Sequence, residues 1–119
     1  MQTIFKICNK LDWLSACENG VYRGSADDLR DGFIHFSSAE QLQGTVEKHF
    51  RGQSDLILVA FDASCLGSAL KWEKSRGGAL FPHLYDDLDP KTALWTEPME
   101  NGPDGVPVIP VARIATQTR

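Results

Sequence analysis

Six apolar residues in a row, "LILVAF" at residues 56–61, stand between Asp55 and Asp62. The run is strand-sized and falls far short of the ~20 residues that a membrane helix needs. An unbroken apolar strand has no wet face, so it predicts a central position in a sheet covered on both sides. The rest of the chain must supply that cover.

The neighbouring segments read as short strands and helices in no regular alternation. "TIFKIC" predicts a first strand, rich in β-branched and aromatic residues. A helix is expected over residues 10–19, with Asn9 as its N-cap, Leu11 and Leu14 on its buried face and Gly20 as its stop. "GVYRGSADDLRDG" is rich in glycine and acid, which predicts a loop with at most a short strand near Val21 to Arg23. "GFIHF" follows as a strand. Ser37 with Glu40 and Ser38 with Gln41 both match a capping box, and Leu42, Val46 and Phe50 give the next helix its buried stripe before Gly52. "ALKWEKS" alternates Leu70 and Trp72 against Lys71 and Glu73, a strand with one wet face. Glycine and proline place "RGGALFPHLYDDLDP" on a loop, "TALWTEP" on a strand and "ENGPDG" in a turn. Pro107 and Pro110 restrict "VPVIPVARI" to an edge strand or an extended tail. Two main helices among five to seven strands, without a βαβ rhythm, make an α+β fold. At 119 residues the chain is expected to be one domain, residues 1–119, with its core over about residues 4–111.

Charge and composition narrow the function classes. The net charge is -4 and the twelve lysines and arginines are scattered, which argues against a nucleic-acid groove. The opening "MQTIFKICNK" has no apolar run of signal length, so the expectation is a soluble cytoplasmic protein with no membrane partner. Cys8, Cys17 and Cys65 are odd in number and widely spaced, without a CxxC pair. They read as small buried hydrophobes, with a reactive thiol or zinc ligation as the alternatives. "YDDLDP" lacks the glycine turn and distal glutamate of a calcium loop, so no metal site is expected.

Chemistry-bearing residues gather in three places. On alternation, Ile34 and Phe36 point to one face of "GFIHF", while Phe33, His35 and Ser37 point to the other and make it half polar. The helix start behind them, at Ser37, Ser38 and Ala39, offers unpaired backbone N–H groups to a phosphate or carboxylate. His35 could then bind a sugar hydroxyl or act as acid or base. The competing reading is a histidine satisfied by a carbonyl, with serines that merely cap. "LFPHLY" puts Phe81, His83 and Tyr85 together, as a pocket wall or as the plug of a core. In "KWEKSRGG", Glu73 could orient an imidazole or accept a ribose hydroxyl and Arg76 could meet a phosphate, or the two could form an exposed ion pair. His49 reads as a surface histidine at a helix end.

In order along the chain, "FKIC", Trp13, "GVYRGSADDLRDGFIHFSSAEQL", "DLILVAFD" and "LGSALKWEKSRGGALFPHLY" resemble domain of unknown function family 952, a family of short bacterial proteins. The resemblance covers about residues 4–111 and names no reaction. More distantly, strand, helix, glycine-containing loop, "IHFS", helix and long apolar strand are similar to the core of the ADP-ribosyltransferase fold, most closely its RNA 2'-phosphotransferase branch. That similarity implies a small, curved, split β-sandwich with a dinucleotide in its cleft, and His35 against the ribose or nicotinamide end of NAD. The chain departs from the pattern at Lys6-Ile7-Cys8-Asn9, where the fold's first strand usually carries its own histidine. The functional expectation is binding of NAD, ADP-ribose or a related nucleotide by His35, Ser37, Ser38, Trp72, Arg76 and Tyr85. His35, His83 and Glu73 are the candidates for transferase-type catalysis. A non-catalytic interaction or sensor module, and a small hydrolase using His35 and His83, are the rival expectations.

Overall fold

The computed structural model describes residues 2–117, apart from the side chains of Arg76, Thr116 and Gln117. The apolar run forms β3 (Leu56–Asp62), the middle strand of an antiparallel sheet between β1 (Thr3–Asn9) and β6 (Ala93–Met99). Both of its faces are covered, as expected. Ile57, Val59 and Phe61 face a core with Trp13, Ile34, Phe36 and Leu84, whereas Leu56, Leu58 and Ala60 face one with Phe5, Leu42, Val46 and Trp95. Leu58 is fully buried, so Leu58→Ala is expected to cost about 2–5 kcal/mol in urea unfolding. A cost under 1 kcal/mol would contradict a close-packed centre here.

The helix α1 (Lys10–Asn19) has the expected bounds and caps. Asn9 accepts from the N–H groups of Leu11 and Asp12, and Gly20, at φ 79°, donates its N–H to the Ala16 carbonyl. Its buried residues differ from expectation: Trp13 and Ala16 pack inward while Leu11 and Leu14 are exposed. Trp13 lies against Phe61 and Tyr22, and its larger ring decides which face turns in.

Residues 20–32, expected as a loop, contain α2 (Ala26–Asp31). Ser25 and Asp28 form a reciprocal capping box, with Ser25 N–H on Asp28 Oδ2 at 2.8 Å and Asp28 N–H on Ser25 Oγ at 3.2 Å. The glycines that suggested a loop bracket this short helix.

A second antiparallel sheet has the order β2–β5–β4, from β2 (Ile34–His35), β4 (Leu70–Lys74) and β5 (Leu80–Leu84). The "FPHLY" segment is therefore its central strand for the most part, not a loop. Pro82 is tolerated in β5 because of where its missing donor falls. Its carbonyl accepts from Phe36 N–H at 3.0 Å, so its nitrogen faces the same edge, where β2 has just ended. Freed from β5, the chain crosses to the first sheet. Ser37 and Phe5 exchange backbone hydrogen bonds at 2.8 and 2.9 Å. The four residues of "IHFS" thus link the two sheets.

The capped turn at Ala39–Gln41 leads into α3 (Leu42–His49), whose Leu42 and Val46 are fully buried. The extended tail expected through "VPVIPVARI" ends at Pro110, and α4 (Val111–Gln117) follows. Ile114 packs on the core and Arg113 lies 4.9 Å from the Trp95 ring, contacts that favour a helix there. The architecture is α+β, with two small antiparallel sheets and four helices among the described residues rather than two. No helix among them is long and apolar enough to cross a membrane.

Candidate functional site

Antiparallel pairing sets His35 of β2 opposite His83 of β5. Opposite residues share a face, and the two rings lie 5.5 Å apart, edge to face. Phe33 packs against both rings, stacked on His83 at 4.1 Å and 4.5 Å from His35. The wet face that alternation assigned to Phe33, His35 and Ser37 is thus a real surface, and it opens on a cavity of about 250 Å³. All three histidines of the chain, His35, His49 and His83, line it.

Each of the paired histidines is backed by a carboxylate. Asp28 Oδ1 meets His35 Nδ1 at 2.7 Å and accepts from the His35 backbone N–H at 3.1 Å. Asp28 Oδ2 meets Lys6 Nζ at 2.8 Å and the Ser25 N–H at 2.8 Å. Lys6 and Asp28 are both buried. Burial alone would raise the Asp28 carboxyl, but the hydrogen bond from His35 and the charge of Lys6 outweigh it and hold the group well below the ordinary range. The outer nitrogen of His35, Nε2, lies 3.0 Å from Asp31 Oδ2, so a carboxylate faces each nitrogen of this ring.

His83 is arranged differently. Its Nδ1 lies 2.8 Å from Glu73 Oε1, which also accepts from Tyr85 Oη at 2.7 Å. These two hydrogen bonds, that from His83 first, lower the Glu73 carboxyl. The ring is buried and lines the cavity, and its Nε2 has no protein partner among the described residues. A carboxylate behind Nδ1 fixes the ring orientation and leaves Nε2 to serve as acid or base.

The expected site residues divide. His35, His83 and Ser37 line the cavity, although Ser37 Oγ is occupied by Thr45 Oγ1 at 2.9 Å. Glu73 and Tyr85 stand behind His83 rather than in the cavity wall. The Ser37 N–H is taken by the Phe5 carbonyl at 2.9 Å and the Ser38 N–H by Gln41 Oε1 at 3.0 Å, so neither is left for an anion, and Ser38 is not part of the lining. Trp72 pairs with Pro82, one residue out of step with His83, so it lies on the opposite face of the sheet. In β4, Leu70 packs on the core and Lys71 is exposed, as expected, whereas Trp72 is exposed and Glu73 half buried. The Arg76 side chain lies outside the described residues. No three metal-ligating side chains come together as a metal site among the described residues.

Sequence reasoning missed Lys6, Asp28 and Asp31; His49 is exposed at the end of α3, as read, and it also borders the cavity. Lys6 did carry a signal, as the one charge inside an apolar strand. Gly24 carried another: at φ 117°, a Cβ there would sit 2.6 Å from Asp28 Cβ. Gly24→Ala is therefore expected to push Asp28 off His35 and lower Tm, read by calorimetry and the His35 ring resonances. Unchanged His35 resonances would show that Asp28 does not need this gap.

Fold and site together define a small α+β protein with a histidine–carboxylate cavity at the junction of two antiparallel sheets. A family model described as "Protein of unknown function (DUF952)" matches residues 7–96, and the chain belongs to that family. It is similar to protein CC0527 from Caulobacter crescentus. The X-ray structure of that protein is 46% identical with a TM-score of 0.90, the match covering 95% of this chain and 98% of that one. Its solution NMR structure is 48% identical with a TM-score of 0.80, covering 90% and 92%. No curated protein matches this chain.

Proposed function

We propose that the cavity between His35 and His83 takes the ribosyl end of a nucleotide, NAD or ADP-ribose in the first place, and that His83 is its acid–base group. The observation that carries this reading is the convergence of all three histidines on one cavity, with His83 oriented by Glu73 and its Nε2 unpaired. About 250 Å³ is below the roughly 300–1,000 Å³ of drug-sized sites, so one end of a dinucleotide enters and the rest stays outside. The Asp28 carboxylate on the cavity wall favours positive charge, which builds on a ribosyl carbon as nicotinamide leaves. In hydrolysis, water oxygen bonds to that carbon, the ring nitrogen departs with the bonding pair, and His83 Nε2 takes the water proton. In transfer, another acceptor takes the place of water. The resemblance to the ADP-ribosyltransferase fold points to the same ligand. Three free cysteines agree with action in the reducing cytoplasm.

Thermal unfolding with millimolar NAD, ADP-ribose or nicotinamide tests the binding. A ligand at a hundred times its Kd adds about 2.7 kcal/mol and raises Tm by several degrees. That rise is expected in the wild type and in Trp72→Ala, whose side chain faces away from the cavity, and is expected to vanish in His35→Ala. No rise with any ligand would overturn the reading in favour of a non-catalytic interaction module.

A further inference from the structure

His35 and Arg30 both hold the same carboxylate. Asp31 Oδ2 lies 3.0 Å from His35 Nε2, and Asp31 Oδ1 lies 3.2 Å from Arg30 Nε. Arg30 Nη1 also pairs with Asp27 at 2.9 Å. Nothing about α2 calls for an acid at this position. Asp31 is the last residue of the helix, where the macrodipole disfavours negative charge. Its side chain is about one-third exposed, in contrast to the buried Asp28 on the other side of the same ring.

We infer that the Asp31 carboxylate is a built-in stand-in for a phosphate: it occupies the place between His35 Nε2 and Arg30 Nε that a phosphate of the ligand takes when bound. Two donors from different elements converge on two oxygens of one anion, and a phosphate presents two oxygens in the same way. The donors are organised without Asp31. Lys6 and Asp28 hold the His35 ring from behind, so Nε2 keeps its aim when Asp31 swings away. Charge supports exchange rather than addition. Lys6 and Arg30 face Asp27, Asp28 and Asp31 around the cavity, an excess of carboxylate that repels a phosphate until Asp31 leaves. Asp31 therefore acts as a gate, and it admits only ligands that replace its contacts. The inference rests on the nucleotide reading for the identity of the molecule that carries the phosphate, not for the subsite itself.

Titration of the wild type, Asp31→Ala and Asp31→Ala/Arg30→Gln with inorganic phosphate, followed on the His35 ring resonances, tests the gate. Asp31→Ala is expected to bind phosphate at least tenfold more tightly than the wild type, with His35 shifting, and the added Arg30→Gln is expected to abolish the gain. Phosphate binding is expected to exceed that of acetate. Equal affinity in wild type and Asp31→Ala, binding that leaves His35 unmoved, or binding of acetate alone would overturn the inference. Asp31→Asn, which keeps the side-chain size, provides a second folded variant and is expected to fall between the wild type and Asp31→Ala. Phosphate binding by Asp31→Ala with no variant binding ADP-ribose would sink the nucleotide reading and leave the gate intact. ADP-ribose binding unaffected by Asp31→Ala would do the reverse.

Discussion

Asp28→Ala is expected to destabilise the protein by about 3–5 kcal/mol, because removing one partner of a buried ion pair strands the other. Lys6 is 5% exposed and Asp28 is its one ion-pair partner among the described residues, so its ammonium would stay buried without that counter-ion. The same substitution frees the Ser25 N–H at the start of α2 and both contacts to His35. For a domain of this size Tm should fall by more than about 10 °C. Lys6→Met/Asp28→Leu is expected to recover part of that loss, since a buried pair can be replaced by apolar side chains. A loss under 1 kcal/mol for Asp28→Ala would mean that the buried pair does not hold the site.

The same group sets the acid limit of the fold. The Asp28 carboxyl lies below its ordinary value in the folded protein, so the unfolded chain binds a proton first as pH falls. Its stabilisation is complete above the ordinary carboxylate value of about 4 and is lost as pH drops below it toward the folded value. Unfolding free energy from pH 6 downward should therefore fall more steeply in the wild type than in Asp28→Ala. Parallel curves would show that other groups set the limit.

The second large effect is expected on turnover. On the proposed substrates, His83→Gln should lower kcat by about 10²–10⁴-fold, the contribution typical of a positioned acid or base, with ligand affinity changed only a few-fold. Glu73→Gln should lower it less, because its amide oxygen can still accept from His83 Nδ1 while the charge is gone. A matching loss in binding for His83→Gln would make it a ligand-contact residue. More than a tenth of the wild-type rate would remove it from the chemistry.

The elements legible in the sequence were those whose signals are local. The apolar run of β3, the Asn9 and Gly20 caps of α1 and the Leu42/Val46 stripe of α3 each lie within one element, and the structure has them as read. His35 was legible because alternation assigns a face without knowledge of a partner. Elements that depend on distant partners were misread. Pro82 marks a loop until one sees that β2 ends beside it, whereas the Ser25–Asp28 capping box is a local signal that the glycines around it overrode. The approach of His35 to His83 depends on the β2–β5 register, which nothing in either segment specifies alone.

Titration with ADP-ribose, followed on the ring resonances of isotope-labelled histidine, reads the proposed nucleotide site itself. His83 and His35 are expected to shift together and saturably in the wild type, and the His35 response is expected to persist in Trp72→Ala. Unmoved rings for both histidines at millimolar ADP-ribose would contradict a nucleotide site in this cavity.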